Sequence, residues 1–116
     1  MSYDLAVWEG ERPTDDKAAA RIFRDLYEHY LDAEEERPPT ARIEAYVLAL
    51  LERWGHPSED ETSPWAAWPL IRGASGPLVY FPMRWSMSDE ASTFAAALAE
   101  SMGLICFDPQ HNGLRL

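Results

Sequence analysis

The closing stretch LICFDPQHNGLRL brings Cys106, Asp108 and His111 close together in the chain. These residue types bind metals or run nucleophilic chemistry, in which a thiolate attacks, an imidazole carries the proton and a carboxylate orients the imidazole. A metal centre needs three or four such ligands converging, and a reactive cysteine needs a base and an electropositive setting. Cys106 sits instead in an apolar run, between Ile105 and Phe107. Asp108 begins a turn: its carboxylate can bond back to the backbone, Pro109 supplies the fixed φ of the second position, and Asn112-Gly113 tolerates positive φ. The stretch therefore reads as strand, turn and strand with a packed thiol, and no catalytic residue is assigned from it.

The remaining candidates for bond-making chemistry are thinner. His29 lies beside Glu28 and Asp32, and His56 follows Gly55, with no H-x-x-x-H or H-x-E spacing around either. No metal site is expected. RGASGP carries two glycines but lacks the Lys-Ser/Thr pair of a phosphate loop and runs into a strand rather than a helix. It reads as a hairpin turn, and no cofactor is expected.

Two features point to binding rather than to catalysis. Asp32, Glu34, Glu35 and Glu36, with Glu28 one turn earlier, form a dense negative run. At a helix C-terminus such charges oppose the macrodipole at about 0.3–1 kcal/mol each, a cost that a basic partner would offset. Trp65, Trp68, Tyr80, Phe81 and Trp85 crowd the next part of the chain among prolines. Most belong in a core, but a tryptophan beside a loop is a typical interface anchor, and Trp65 is the one expected to be exposed. The expected protein-binding residues are Glu28, Asp32, Glu34, Glu35, Glu36 and Trp65.

These side chains must be positioned by elements that the hydrophobic periodicity makes legible. In SYDLAVW, Tyr3, Leu5 and Val7 alternate with Asp4, Ala6 and Trp8, the period of a strand with one buried side. Thr14 can cap a helix whose apolar stripe runs through Ala19, Ile22, Phe23, Leu26, Tyr27, Tyr30 and Leu31. Pro38 and Pro39 end it, and Thr40 can cap a second helix with Ile43, Val47, Leu50, Leu51 and Trp54 on one face. A short turn between two helices predicts an α-hairpin. AAWPLIRG and PLVYFPM read as two strands around GASG; Ser88 caps a third helix that Gly103 stops; LICF and LRL are the last strands. The predicted class is α+β, in the order β-α-α-β-β-α-β-β, as a single domain over residues 1–116 with its helices on one face of a mainly antiparallel sheet.

Composition narrows the function classes further. With 116 residues and 47% apolar content, the chain can bury one core. Its formal net charge is −10. Residues 1–61 carry sixteen acidic and seven basic side chains, net −9, against four and three, net −1, for residues 62–116. A field of that sign repels nucleic acid and anionic lipid and attracts a basic protein. One cysteine, no apolar stretch of membrane-spanning length and no leader-like opening set the expectation of a cytoplasmic protein.

Taken together, the opening Tyr3-Asp4-Leu5-x-Val7-Trp8 and the closing Gly103-Leu104-x-Cys106-x-Asp108-Pro109-Gln110 resemble the first and last strands of small actinobacterial proteins. They are more loosely similar to immunity proteins of bacterial polymorphic toxin systems. The resemblance implies an inhibitor that occludes a partner without catalysis, and it carries over no toxin-contact residue. The principal expectation is a non-enzymatic module that binds a basic protein, such as a toxin, through its acidic first half. Two alternatives stay open: a small enzyme or ligand-binding domain with a pocket near Trp65, Trp85 and Cys106 to His111, and a homodimeric structural protein that pairs sheet edges.

Overall fold

The computed structural model describes residues 2–32, 37–56, 62–67 and 69–115. A five-stranded sheet runs through it, with strands β1 (Ser2–Trp8), β2 (Ala74–Ser75), β3 (Leu78–Arg84), β4 (Ile105–Asp108) and β5 (Gly113–Leu114) in the spatial order β2-β3-β1-β4-β5. Every neighbouring pair is antiparallel. Three helices complete the domain: α1 (Asp16–Leu26), α2 (Ala41–Arg53) and α3 (Ser88–Ser101). Class and element order are those predicted.

The helices, however, divide between the two faces of the sheet instead of sharing one. Leu5, Val7, Val79, Phe81, Met83 and Cys106 pack with residues of α2 and α3. Ala6, Trp8, Leu78, Ile105 and Phe107 pack on the other side with Ala19 and Ala20 of α1. The reason is in β1, where Leu5, Ala6, Val7 and Trp8 are all buried: alternation marks two apolar faces here, not one apolar and one wet face. The predicted α-hairpin fails for the same reason, since α1 and α2 cover opposite faces. Residues 37–40 pass the β2 edge between them, where the Thr40 amide donates to the Gly76 carbonyl at 2.9 Å.

Local chemistry sets the ends of the helices. Asp15, rather than Thr14, caps α1, its carboxylate accepting from the Ala18 amide at 2.8 Å. Thr40 caps α2 as expected, accepting from the Ile43 amide at 3.3 Å. Ser88 begins α3 without capping it; its hydroxyl donates to the Trp85 carbonyl. Gly103 closes α3 at φ +72°, and the Leu104 amide reaches back to the Ala99 carbonyl at 2.8 Å. Within the predicted strand AAWPLIRG, Leu70–Gly73 form a short 3₁₀ turn instead, and the hairpin strand that pairs with β3 is the following Ala74–Ser75.

The first helical stripe also changes character at its end. Beyond Leu26 the chain widens into a π-helical turn, Tyr27–Leu31, in which the Asp32 amide donates to the Tyr27 carbonyl at 2.8 Å. Such single wide turns shift the facing of every side chain after them.

Candidate functional site

Of the residues expected to bind a partner, Glu28 and Asp32 come together on one surface. Both line a cleft of about 490 Å³ whose walls are the rings of Phe23, Tyr27 and Tyr80. Phe23 stacks on Tyr80 with centroids 6.0 Å apart, and Tyr27 meets Tyr80 edge-on at 5.9 Å. Tyr27 is 41% exposed, so its ring forms part of the surface. The π turn spans these residues, with the Asp32 amide bonded to the Tyr27 carbonyl five positions back. Glu34, Glu35 and Glu36 lie outside the described residues.

Trp65 is not an anchor on the surface. It is fully buried, its indole N–H donates to the Trp54 carbonyl at 2.9 Å, and its ring meets Trp54 and Phe81 edge-on. Proximity to a loop misled here because the segment Pro64–Ala66 folds back on β3: the Ala66 amide donates to the Pro82 carbonyl and the Arg84 amide to the Pro64 carbonyl. Among the described residues the exposed tryptophan is Trp85, 55% accessible, with its ring 6.1 Å from that of Tyr3.

The closing turn forms a second locus, centred on Asp108. Its Oδ2 accepts from the Tyr3 hydroxyl and faces His111 Nδ1 at 2.7 Å. Its Oδ1 accepts from the Gln110 amide at 2.9 Å, from Gln110 Nε2 at 2.7 Å and from the His111 amide at 3.2 Å. Burial alone would raise the Asp108 carboxyl, but the hydrogen bonds from Tyr3, His111 and Gln110 outweigh it and hold the carboxyl below its usual range. Tyr3 responds in the opposite sense: burial first, then its bond to Asp108 and the charge there, push its hydroxyl up to about 12. Gln110 extends the network to β1, where its side-chain amide accepts from the Asp4 amide at 2.6 Å and donates to the Asp4 carbonyl at 2.7 Å. Asp4 in turn accepts from the Tyr80 hydroxyl at 2.7 Å, which ties this network to the wall of the aromatic cleft.

This locus is a turn held from every side, with one chemically open group. The His111 side chain is 75% exposed while the carboxylate that orients it is 6% exposed. Together with Tyr3, Asp16 and Arg115 the pair lines a cavity of about 340 Å³. Cys106 does not join them. It lines a different cavity of about 220 Å³ with Arg12, Glu100 and Arg115, and burial, only partly opposed by Arg115, pushes its thiol up to about 12. The pocket anticipated near Trp65, Trp85 and Cys106 to His111 is therefore not one place. Among the described residues, no group of three or more His, Cys, Asp or Glu side chains could hold a metal ion. No described helix is long and apolar enough to cross a membrane.

Three side chains of these two loci are not singled out by residue type. Tyr3, Tyr27 and Tyr80 each fit a strand or helix stripe, so only the three-dimensional pairing exposes their contacts at Asp108 and at the cleft. The signal for Tyr3 was the joint presence of Tyr3-Asp4 and Asp108-Pro109-Gln110, which the fold brings into a single network. No protein-family model matches the chain, and no curated protein or solved structure matches it either.

Proposed function

We propose that this chain is a non-enzymatic binding module that engages a basic protein through the acidic, aromatic face of α1 and the following π turn, in the manner of an immunity protein that occludes a toxin. The observation that carries this reading is the meeting of Glu28 and Asp32 with exposed Tyr27 at one cleft. Charge alone keeps many proteins soluble, whereas carboxylates beside an accessible aromatic wall combine long-range attraction with short-range packing. The concentration of negative charge in residues 1–61 acts in the same direction.

Capture from native lysate tests the reading, with wild type compared with the Glu28→Lys/Asp32→Lys variant at low and high salt. A basic protein retained by wild type, released by salt and lost by the variant is the expected outcome. An immunity role further requires that this protein be toxic when expressed alone and harmless when this chain is co-expressed. Equal capture by both proteins, or capture of an acidic partner, would remove the acidic face from consideration.

One observation favours a second reading, a small-molecule site at the closing turn. The carboxylate-oriented imidazole of His111 opens on a cavity beside Tyr3 and Arg115. A fragment screen by amide NMR addresses it: saturable shifts centred on His111 and lost in His111→Ala favour it, and their absence leaves Asp108 as the centre of a structural turn.

A further inference from the structure

We infer that the Phe23–Tyr27–Tyr80 cleft receives the guanidinium of a single arginine side chain from the partner, stacked on the tyrosines and paired with Glu28 and Asp32. This inference rests on the protein-binding reading above and specifies the group that the face recognises.

The chain displays the same chemistry within itself. The Arg53 guanidinium lies 4.0 Å over the Trp54 ring while its Nη2 approaches Glu90 Oε1 at 3.4 Å. A flat cation thus takes an aromatic face and a carboxylate edge at once, the pairing for which guanidinium is better suited than ammonium. A second guanidinium, that of Arg37, lies 5.3 Å over the Tyr30 ring. The cleft presents the complementary half of this arrangement to solvent, with aromatic walls and two carboxylates. No ion pair or ring contact of the chain's own cations occupies it among the described residues.

Charge balance limits the occupant to one cation. Among the described residues lining the cleft, Arg24 is the only basic one, against Glu28 and Asp32, which leaves a net of one negative charge among them. The cleft's volume of about 490 Å³ is ample for one side chain and too small for a folded segment. Its walls are braced from behind: Phe23 stacks on Phe107 at 5.1 Å, and the Tyr80 hydroxyl is held by Asp4 at 2.7 Å. Little side-chain freedom is therefore lost when a cation seats, which favours affinity.

The test is an amide NMR titration of the whole chain with three capped pentapeptides, Gly-Ser-X-Ser-Gly, where X is arginine, lysine or citrulline. The expected result is a saturable response to the arginine peptide centred on Phe23, Tyr27, Glu28, Asp32 and Tyr80, with no response to citrulline. Affinity should fall by about threefold in Tyr27→Ala and in Glu28→Gln/Asp32→Asn, with Tyr27→Phe retaining most of it. Circular dichroism of each variant separates lost binding from lost fold. An equal response to lysine would overturn the guanidinium assignment, and shifts spread over the acidic surface, or no response, would overturn the cleft. Neither result touches the proposed function, which stands or falls on the lysate capture.

Discussion

Tyr3 and Asp108, 105 positions apart, are joined by a hydrogen bond from the phenolic hydroxyl to a carboxylate at the far end of the chain. The contact locks the start of β1 to the last residue of β4, beyond the last residues that those strands pair directly, Ala6 with Phe107. Hydrogen bonds to a charged group contribute about 1.5–3 kcal/mol when partly buried. Tyr3→Phe should therefore cost about 1.5–2 kcal/mol, the lower part of that range because Tyr3 is only half-buried. Asp108→Ala, which leaves Tyr3, Gln110 and His111 donors without their acceptor, should cost about 2–4 kcal/mol. A double-mutant cycle by urea denaturation checks the pairing. Additive losses would show that the two side chains act separately.

The same contact gives stability a pH dependence at both ends of the scale. Asp108 is held below its usual range in the folded state, so the folded protein binds that proton less tightly than the unfolded chain. Its contribution is complete above about pH 4 and is lost as pH falls through the folded value. Tyr3 behaves in the opposite way: its hydroxyl is pushed up to about 12, so its contribution is complete below about pH 10 and fades between there and 12. Urea midpoints measured across pH should show Asp108→Asn flattening the acid limb and Tyr3→Phe softening the alkaline limb. Identical pH profiles for wild type and both variants would remove the network from the acid and alkaline response.

Cys106 should be inert in the native protein. Its thiol is buried, 6% exposed, and is pushed up to about 12; the thiolate is the reactive form. At pH 8 a disulfide reagent should modify the folded chain at least about a hundredfold more slowly than the urea-unfolded chain. Comparable rates in the two states would mean that the cavity bordered by Arg12 and Arg115 activates the thiol after all, and would reopen a nucleophilic role for this residue.

How far the sequence revealed this arrangement depends on the range of each signal. The class, the element order, the Thr40 cap and the Gly103 stop all follow from neighbours within a few residues, and each is found in the structure. Asn112, expected to tolerate positive φ, adopts φ +53°. What failed was the reading of faces. Alternation with Val7 places Trp8 on the wet side of β1, yet it is buried against Phe107 at a centroid distance of 5.8 Å. A strand buried on both sides has no polar face to reveal its second layer, so the placement of α1 opposite α2 was invisible. The π turn was equally hidden: Tyr27, Tyr30 and Leu31 continue the helical spacing, and nothing local marks the extra residue. Charge singles out Glu28 and Asp32 in the sequence, whereas the tyrosines beside them in the cleft fit the pattern of a core. The two end motifs that carried the family resemblance prove to be one hydrogen-bonded unit, with Gln110 completing the edge of β1 through both bonds to Asp4. Residues that serve the fold in this way are weak guides to function, because the same pairing would be useful in any protein that must close its first strand on its last turn.

Trp65 and Trp85 should separate structure from recognition in a single experiment. Trp65 is enclosed by Trp54 and Phe81, and its N–H satisfies the Trp54 carbonyl. It also joins Pro64–Ala66 to β3 through its bridge with Met83. Removing so large a side chain from a closed site leaves a cavity, and Trp65→Ala should cost about 3–5 kcal/mol. Trp65→Phe keeps part of the volume but strands the carbonyl of Trp54, at about 1–3 kcal/mol. Trp85, 55% exposed, should lose no more than about 0.5 kcal/mol on substitution by alanine. Acrylamide quenching supplies an independent check, since loss of Trp85 should lower the readily quenched fraction of the fluorescence and loss of Trp65 should not. If Trp65→Ala proved as stable as wild type but failed to capture the basic partner, the tryptophan would be an anchor that the partner exposes. If it simply unfolds at lower urea, its place is in the core, and the proposed recognition rests on the tyrosine cleft on the opposite face of the sheet alone.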